Sequence, residues 1–269
     1  MNNRPIGVFD SGLGGLTMIK KLTELLPGED LIYLGDTGRV PYGSRSRETI
    51  IKYAGQDAAF LAGYGIKAMV IACNTVCSVA IDSLKTEYDM PVYEVVTAPA
   101  KAAAAKTKNG NIGVIGTAAT IRSGAYETAL KNINPKLNIH SVPCPLFVPL
   151  VEEGWTDASD DAALSVAARY LDNLKRINID TLILGCTHYP LLRDVIMKIM
   201  GPDVILVDSG AETAKQVASD LRGKDLLSGS KTDGNIKYYV TDTIQGFSDL
   251  ASIYLEADVN GKVEQIALE

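Results

Sequence analysis

Short apolar runs recur along this chain with room for one helix between neighbours, and no other feature restricts the fold as tightly. Ile6 to Phe9, Leu31 to Leu34, Ala68 to Ala72 and Pro91 to Val96 read as strands. Helical patterns fill the gaps: after Gly15 as far as Leu26, from Glu48 to Tyr64, and from about Val76 to Tyr88. Such alternation indicates βαβ units around a parallel sheet covered on both faces, with right-handed crossovers. After Val96 the pattern restarts. An Ala-rich helix from Ala98 to Lys106 leads to Ile112-Gly-Val-Ile115, which resembles Ile6-Gly-Val-Phe9, and a small-residue loop follows from Gly116 to Thr120. Leu182 to Leu184 with Gly185-Cys186-Thr187-His188 then resembles Val70 to Ala72 with Cys73-Asn74-Thr75. The interval from Ile6 to Cys73 nearly equals that from Ile112 to Cys186, and each cysteine precedes a further strand, at Val92 and Ile205, by the same distance. A tandem duplication of one α/β unit accounts for the match better than a shared fold rhythm, because the residues at the strand ends agree in chemistry as well as spacing. The tail gives a helix from Ala211 to Leu221, a turn region from Leu227 to Gly234, a strand from Ile236 to Val240 and a helix from Phe247 to Leu255. That is too little for a third domain.

Composition removes several function classes. With 26 Lys and Arg against 32 Asp and Glu, four Phe and one Trp, the chain has no basic stripe or stacking platform for nucleic acid. No apolar run approaches a membrane span, and the opening residues carry no signal-peptide core. Four cysteines, at 73, 77, 144 and 186, cannot form a disulfide scaffold, so a cytoplasmic protein with free thiols is expected. Metal-ligand spacing is missing as well; only Cys186 and His188 stand close together outside the Cys73/Cys77 turn, so no metal is expected.

Cys73 and Cys186 carry the sharpest signal. Each falls after a buried strand and before a helix, at the sheet edge where open parallel sheets bind ligands. A thiol there feels the positive end of the following helix, which lowers its pKa and favours the nucleophilic thiolate. Asn74 and Thr75 flank one, Thr187 and His188 the other, and Pro190 suits the first turn of the second helix. A buried cysteine is often a small apolar packer, and that reading is kept for Cys77 and Cys144. His140, at the end of a strand-like stretch, reads as a surface or satisfied histidine. The glycine loop Asp10-Ser11-Gly12-Leu13-Gly14-Gly15 joins strand to helix, so its backbone donors suit an anion. Thr17 replaces the third glycine of the dinucleotide fingerprint and no Gly-Lys-Ser/Thr follows, which argues against a nucleotide and leaves a small carboxylate open. Taken alone, Asp10 is equally a turn former, and Val40-Pro41-Tyr42-Gly43-Ser44 reads as a turn. Phe147 to Gly154 reads as a loop carrying two solvated acids, Glu152 and Glu153.

Together DSGLGG (10–15), VPYG (40–43), ACNT (72–75), IGTAATIRSGAY (115–126), VPLVEEG (148–154) and GCTHYPLL (185–192) resemble the glutamate racemases of the aspartate/glutamate racemase superfamily over nearly the whole chain. Val76, Cys77 and Ser78 depart from the small residues usual there and bear on local packing. The resemblance implies two doubly wound α/β domains related by pseudo-twofold symmetry: residues 1–97 plus 208–269, and residues 98–207, with the active site in the cleft between them. It implies interconversion of L- and D-glutamate without a cofactor, supplying D-glutamate for bacterial peptidoglycan, in a homodimer. Cys73 would take the Cα proton of D-glutamate and Cys186 that of L-glutamate. Asp10 would assist the first; His188 and Glu153, or its neighbour Glu152, would assist the second. Asp10, Ser11, Pro41, Tyr42, Gly43, Asn74, Thr75, Thr117, Thr187 and His188 would bind the substrate through hydroxyl, amide and backbone donors. The chemistry fits two facing thiols, because inverting a stereocentre needs an acid and a base on opposite faces. An aspartate or other amino-acid racemase of the superfamily, and a non-catalytic carboxylate-binding module, stay open on these residues.

Overall fold

The central strands are buried on both faces, and the helices that cover them are what those faces require. In the computed structural model, which describes residues 1–268 apart from 256, 258 and 260, every residue of β1 (Ile6–Asp10) is buried. After β1 come α1 (Leu16–Leu25), β2 (Leu31–Gly35), α2 (Arg47–Ala62), β3 (Ala68–Ile71), α3 (Asn74–Glu87) and β4 (Val92–Glu94). A second run follows: α4 (Thr97–Lys106), β5 (Asn111–Gly116), α5 (Ala118–Ser123), α6 (Ala125–Ile133), β6 (Asn138–Pro143), α7 (Phe147–Glu152), α8 (Asp161–Arg176), β7 (Thr181–Gly185), α9 (Arg193–Met200) and β8 (Ile205–Asp208). The chain ends with α10 (Ser209–Gly223), β9 (Ile236–Val240), α11 (Ile244–Leu255) and β10 (Val263–Gln265).

All strand pairs are parallel. The six-stranded sheet runs β10-β9-β2-β1-β3-β4 and the four-stranded sheet β6-β5-β7-β8. Counted within its own run, each sheet therefore places its strands in the order second, first, third, fourth, as the expected duplication requires. In that order the switch point lies between the first and third strands, and the crevice outside their carboxyl ends is where a ligand binds. In one sheet these are β1 and β3, in the other β5 and β7. The tail joins the first sheet, with β9 paired to the outer side of β2 and β10 beyond it. β10 had no counterpart in the sequence reading. No helix among the described residues is long and apolar enough to cross a membrane.

Three local differences bear on the site. β4 stops at Glu94, because its carboxylate accepts from the backbone N–H of Val96 at 2.6 Å and of Thr97 at 3.0 Å and so turns the chain into α4. The loop expected after Gly116 is already helical from Ala118, with the Thr117 hydroxyl capping the amide of Thr120 at 3.3 Å. The loop expected over 147–154 is α7 as far as Glu152. Pro149 is its third residue, in the first turn, where a missing N–H costs no helical hydrogen bond.

Candidate active site

Between the carboxyl ends of the two sheets lies a cavity of about 610 Å³, within the range of roughly 300–1,000 Å³ usual for small-molecule sites. Both Cys73 and Cys186 line it, one from each sheet. So do Ser11, Asn74 and Thr75 beside the first, Thr187 and His188 beside the second, and Thr117 at the start of α5. Pro41, Tyr42 and Gly43 complete one wall. Neither Asp10 nor Glu153 is part of the lining. Cys77 and Cys144 are buried away from it, their thiols directed at the carbonyls of Ile71 and Val142 at 3.3 and 3.6 Å. His140 sits half-buried on β6.

Close contacts tie the two halves together at the cavity. The hydroxyls of Thr75 and Thr117 lie 3.0 Å apart across it. The Thr17 hydroxyl approaches the carbonyl of Thr187 at 3.2 Å. Gly14 has no room for a side chain: a Cβ there would lie 2.1 Å from Thr187 Oγ1 and 2.6 Å from His188 Nδ1. Gly14 is a glycine because a segment of the other half passes against its backbone, whereas Gly12 and Gly15 are crowded from their own half, by Val40 and by Asp10 and Tyr33.

Around Cys73 the structure overturns one expectation. Cys73 is the N-cap residue of α3, a helix of fourteen residues, and its Sγ lies 3.4 Å from Ser11 Oγ. Yet burial, followed by the negative charge of Asp10, pushes its thiol up to about 12, against the lowering effect of Ser11 and the Val76 amide. Desolvation outweighs the helix end, so this sulfur rests as a neutral thiol. Asp10 is 1% exposed and accepts from the Gly12 amide on Oδ2 at 3.1 Å, while Oδ1 has no hydrogen-bond partner among the described residues. Burial also raises the Asp10 carboxyl, opposed by the charge of His188 and the amides of Gly15, Gly12 and Ser11.

Cys186 is served differently. No α-helix starts beside it; a four-residue 3-10 turn, Tyr189–Leu192, intervenes before α9, with Pro190 in that turn. In place of a helix end it has His188, whose Nδ1 lies 3.9 Å from Cys186 Sγ and whose Nε2 lies 3.2 Å from Glu152 Oε1. Burial alone opposes a charged imidazole. The hydrogen bonds to Cys186 and Glu152, with the charges of Cys186 and Asp10, outweigh it and push His188 up from 6.5 to about 10.

The acid beside His188 is thus Glu152, and the expectation of Glu153 is corrected. Pro145, Val148, Pro149 and Glu152 all line the cavity, at the spacing i, i+3, i+4, i+7 of one helical face. Glu153, one residue further, points about 100° away and is exposed. Reading 147–152 as a helix would have selected Glu152. The same spacing identifies Arg122, missed by the sequence reading, which shares the α5 face with the lining residue Ala118 and brings a cation to the cavity. Tyr42 is corrected in one respect. Its hydroxyl does not face the cavity but is bonded to Asp36 and, at 3.0 Å, to Asp57, which leaves its ring and backbone to form the wall. Asn74 is engaged on both ends of its amide, by Tyr126 Oη at 2.6 Å and Ser209 Oγ at 3.3 Å. No group of His, Cys, Asp and Glu suited to a metal ion occurs among the described residues.

A model of the Asp/Glu/hydantoin racemase family matches residues 6–217. A glutamate racemase from Geobacter metallireducens is 48% identical over 266 residues, covering 99% of this chain and 97% of its own length. Among solved structures, the glutamate racemase isoform RacE1 of Bacillus anthracis superposes with a TM-score of 0.95 at 36% identity, covering 100% of this chain and 99% of its own. The glutamate racemase of Francisella tularensis, solved in complex with D-glutamate, gives 0.93 at 41% identity, with coverage of 100% and 99%.

Proposed function

This chain belongs to the Asp/Glu/hydantoin racemase family and is an amino-acid racemase, and from that membership we propose that it interconverts L- and D-glutamate by proton transfer between Cα and two cysteines. The observation that carries the reading is the placement of Cys73 and Cys186 on one cavity, at matching ends of the two sheets. With a substrate between them, one sulfur removes the Cα proton as a thiolate while the other, as a thiol, delivers a proton to the opposite face. Each turnover exchanges the two states.

The charges favour one resting arrangement. Burial and Asp10 keep Cys73 protonated, while the His188 imidazolium stabilises negative charge on the Cys186 sulfur. An enzyme in this state meets L-glutamate with a base at Cys186 and an acid at Cys73. Conversion to D-glutamate leaves Cys186 as the thiol and Cys73 as the thiolate, with the Ser11 hydroxyl 3.4 Å away. Ser11, Gly43, Asn74, Thr75, Thr117 and Thr187 offer hydroxyl, amide and backbone groups to the carboxylates and ammonium, and Arg122 adds a cation for a second carboxylate. The amide ends at α3 and α5 favour the same negative charge. Two protein acid/base groups complete the exchange, so the proposal needs no cofactor.

We assign the cleft walls to two domains, residues 1–97 plus 208–269 and residues 98–207, whose closure excludes water from the carbanionic transition state. The proposed setting is the bacterial cytoplasm, with D-glutamate passing to peptidoglycan and the chain acting as a homodimer; sedimentation of the purified protein tests the last point. Circular dichroism of L-glutamate with purified enzyme and nothing added tests substrate and reaction together. The signal should decay to zero, while L-aspartate turns over far more slowly. Faster turnover of aspartate would reassign the substrate.

A further inference from the structure

Asp36 and Asp57 are buried beside the loop that carries Pro41, Tyr42 and Gly43, and the proton transfer uses neither. Their hydrogen bonds can be counted. Asp36 accepts the Thr241 hydroxyl on Oδ1 at 2.7 Å and Arg39 Nε on Oδ2 at 2.6 Å, and this Oδ2 also accepts the Tyr42 hydroxyl. Thr241 also accepts the Gly38 amide at 2.8 Å, so its one proton is free to be given to Asp36. Asp57 accepts Arg39 Nη2 on Oδ1 at 3.0 Å, and its Oδ2 lies 3.0 Å from Tyr42 Oη. A phenol carries one proton. With that proton directed at Asp36, the contact between Tyr42 Oη and Asp57 Oδ2 is a hydrogen bond only when Asp57 supplies the hydrogen.

We infer that Asp57 is a neutral carboxylic acid that donates to Tyr42, which in turn donates to ionised Asp36, and that this relay positions the 41–43 loop over the substrate cavity. Charge balance agrees. One guanidinium, itself partly exposed, faces two fully buried carboxyl groups, and a second carboxylate would leave an uncompensated buried charge. Asp36, Arg39, Tyr42 and Asp10 are the ionisable groups acting on Asp57. Burial first, then Asp36, hold its carboxyl well above the ordinary range against the opposing Arg39 and Tyr42, with Asp10 adding to the rise. Arg39 is itself fixed by Gln56 Oε1 at 2.6 Å and by the Tyr53 ring, 4.2 Å below the guanidinium.

The relay matters because the loop has little slack. A Cβ at Gly43 would lie 3.0 Å from Thr117 Cβ, so this wall is seated directly on the cap of α5. Asp57 is a positioning residue, acting through Tyr42. Its effect on turnover rests on the racemase reading above; its protonation does not, so the two can fail separately.

The test pairs Asp57→Asn with Asp57→Ala. The Asn amide keeps a donor for Tyr42 and an acceptor for Arg39, and KM for glutamate should stay close to that of the unsubstituted enzyme. Asp57→Ala frees the loop, and KM should rise roughly tenfold or more with a smaller change in kcat. Asp36→Asn should resemble Asp57→Ala, because an amide cannot replace an ionised acceptor of three donors. Infrared difference spectra decide the proton directly and need no turnover. At neutral pH, the unsubstituted enzyme minus Asp57→Asn should show a protonated carboxyl band. A difference containing only carboxylate bands would overturn the inference, as would an Asp57→Asn enzyme as impaired as Asp57→Ala. Should Asp57→Ala not fold, the infrared result stands alone.

Discussion

The two ends of the cavity reach the same chemical requirement by different means. Cys73 stands at the N-terminus of a long helix, its sulfur 3.4 Å from a serine hydroxyl, with the buried Asp10 nearby in the same half. Around Cys186 a short 3-10 turn replaces the helix, and an imidazole held by Glu152 stands beside the sulfur. The strand order is the same in both halves and so is the position of each cysteine. The repeated strand order thus brings two sulfurs to one cavity, while their neighbours differ, a serine hydroxyl and a buried carboxyl on one side and an imidazole on the other. In the proposed exchange that asymmetry would bias which sulfur holds the proton at rest, although two coupled groups can share one proton even when they are alike.

The largest expected effect separates the sides outright. Cys73→Ala and Cys186→Ala should each lower racemisation by roughly 10²–10⁴-fold with the fold retained. In deuterated water, Cys73→Ala should still exchange the Cα proton of L-glutamate, and Cys186→Ala that of D-glutamate, as read by NMR. Exchange of the same enantiomer in both variants would break the assignment of faces.

Gly14→Ala should come next, because it strikes the seam. A methyl 2.1 Å from Thr187 Oγ1 must push the two halves apart, with about 1–3 kcal/mol of stability lost and racemisation reduced in both directions. Gly55→Ala, where a Cβ meets nothing within 4 Å inside α2, is the control and should raise the melting temperature slightly.

His188→Asn sharpens the comparison more finely. The equilibrium constant of a racemisation in water is unity, so kcat/KM must fall equally for both enantiomers. The asymmetry appears instead in the isotope effect: with Cα-deuterated substrates it should grow for L-glutamate more than for D-glutamate. The alkaline side of the pH profile should shift too. His188 keeps its proton up to about 10, below the range of about 12 in which Cys73 ionises, so racemisation should decline near pH 10 as the imidazolium is lost. The stability linked to His188 has the same sign. Its pKa is raised on folding, so that contribution is complete below 6.5 and disappears as pH rises through about 10. A profile unmoved by His188→Asn would remove the imidazolium from the mechanism.

The smallest effect concerns the neighbouring acids. Glu152→Gln should bring the alkaline decline to lower pH and slow turnover a few-fold, a modest change because Glu152 is 41% exposed on its side chain. Glu153→Gln should change neither. Equal effects from the two would place the helix face wrongly.

Much of this arrangement was legible in the residues. Apolar runs bounded by helical patterns fixed β1, β3, β5 and β7, and parallel strands expose their carboxyl ends to a crevice whatever their neighbours, so Cys73 and Cys186 could be placed at a cleft before any coordinate was known. The acid on His188 was harder to read. Pro149 argues for a loop unless it is recognised as a first-turn residue, and without the helix nothing distinguishes Glu152 from Glu153. From its own residues Val40 to Ser44 reads as a turn, and only the family resemblance made Tyr42 a substrate ligand. Its real partners, Asp36 and Asp57, are surface-type residues by sequence, yet Asp36 is buried just after β2 and Asp57 lies on the buried face of α2 with Ala54, Ala58 and Leu61.

The order of elements, the repetition of one unit and the two sulfurs at equivalent strand ends were determined by the chain itself, since local apolar periodicity and the rules of parallel sheets leave few other solutions. Which thiol stays protonated, which glutamate meets the imidazole and why Gly14 admits no methyl were decided only in three dimensions. Each depends on desolvation or on contact between separate segments of the chain, and no local pattern encodes the dielectric or the distance that results.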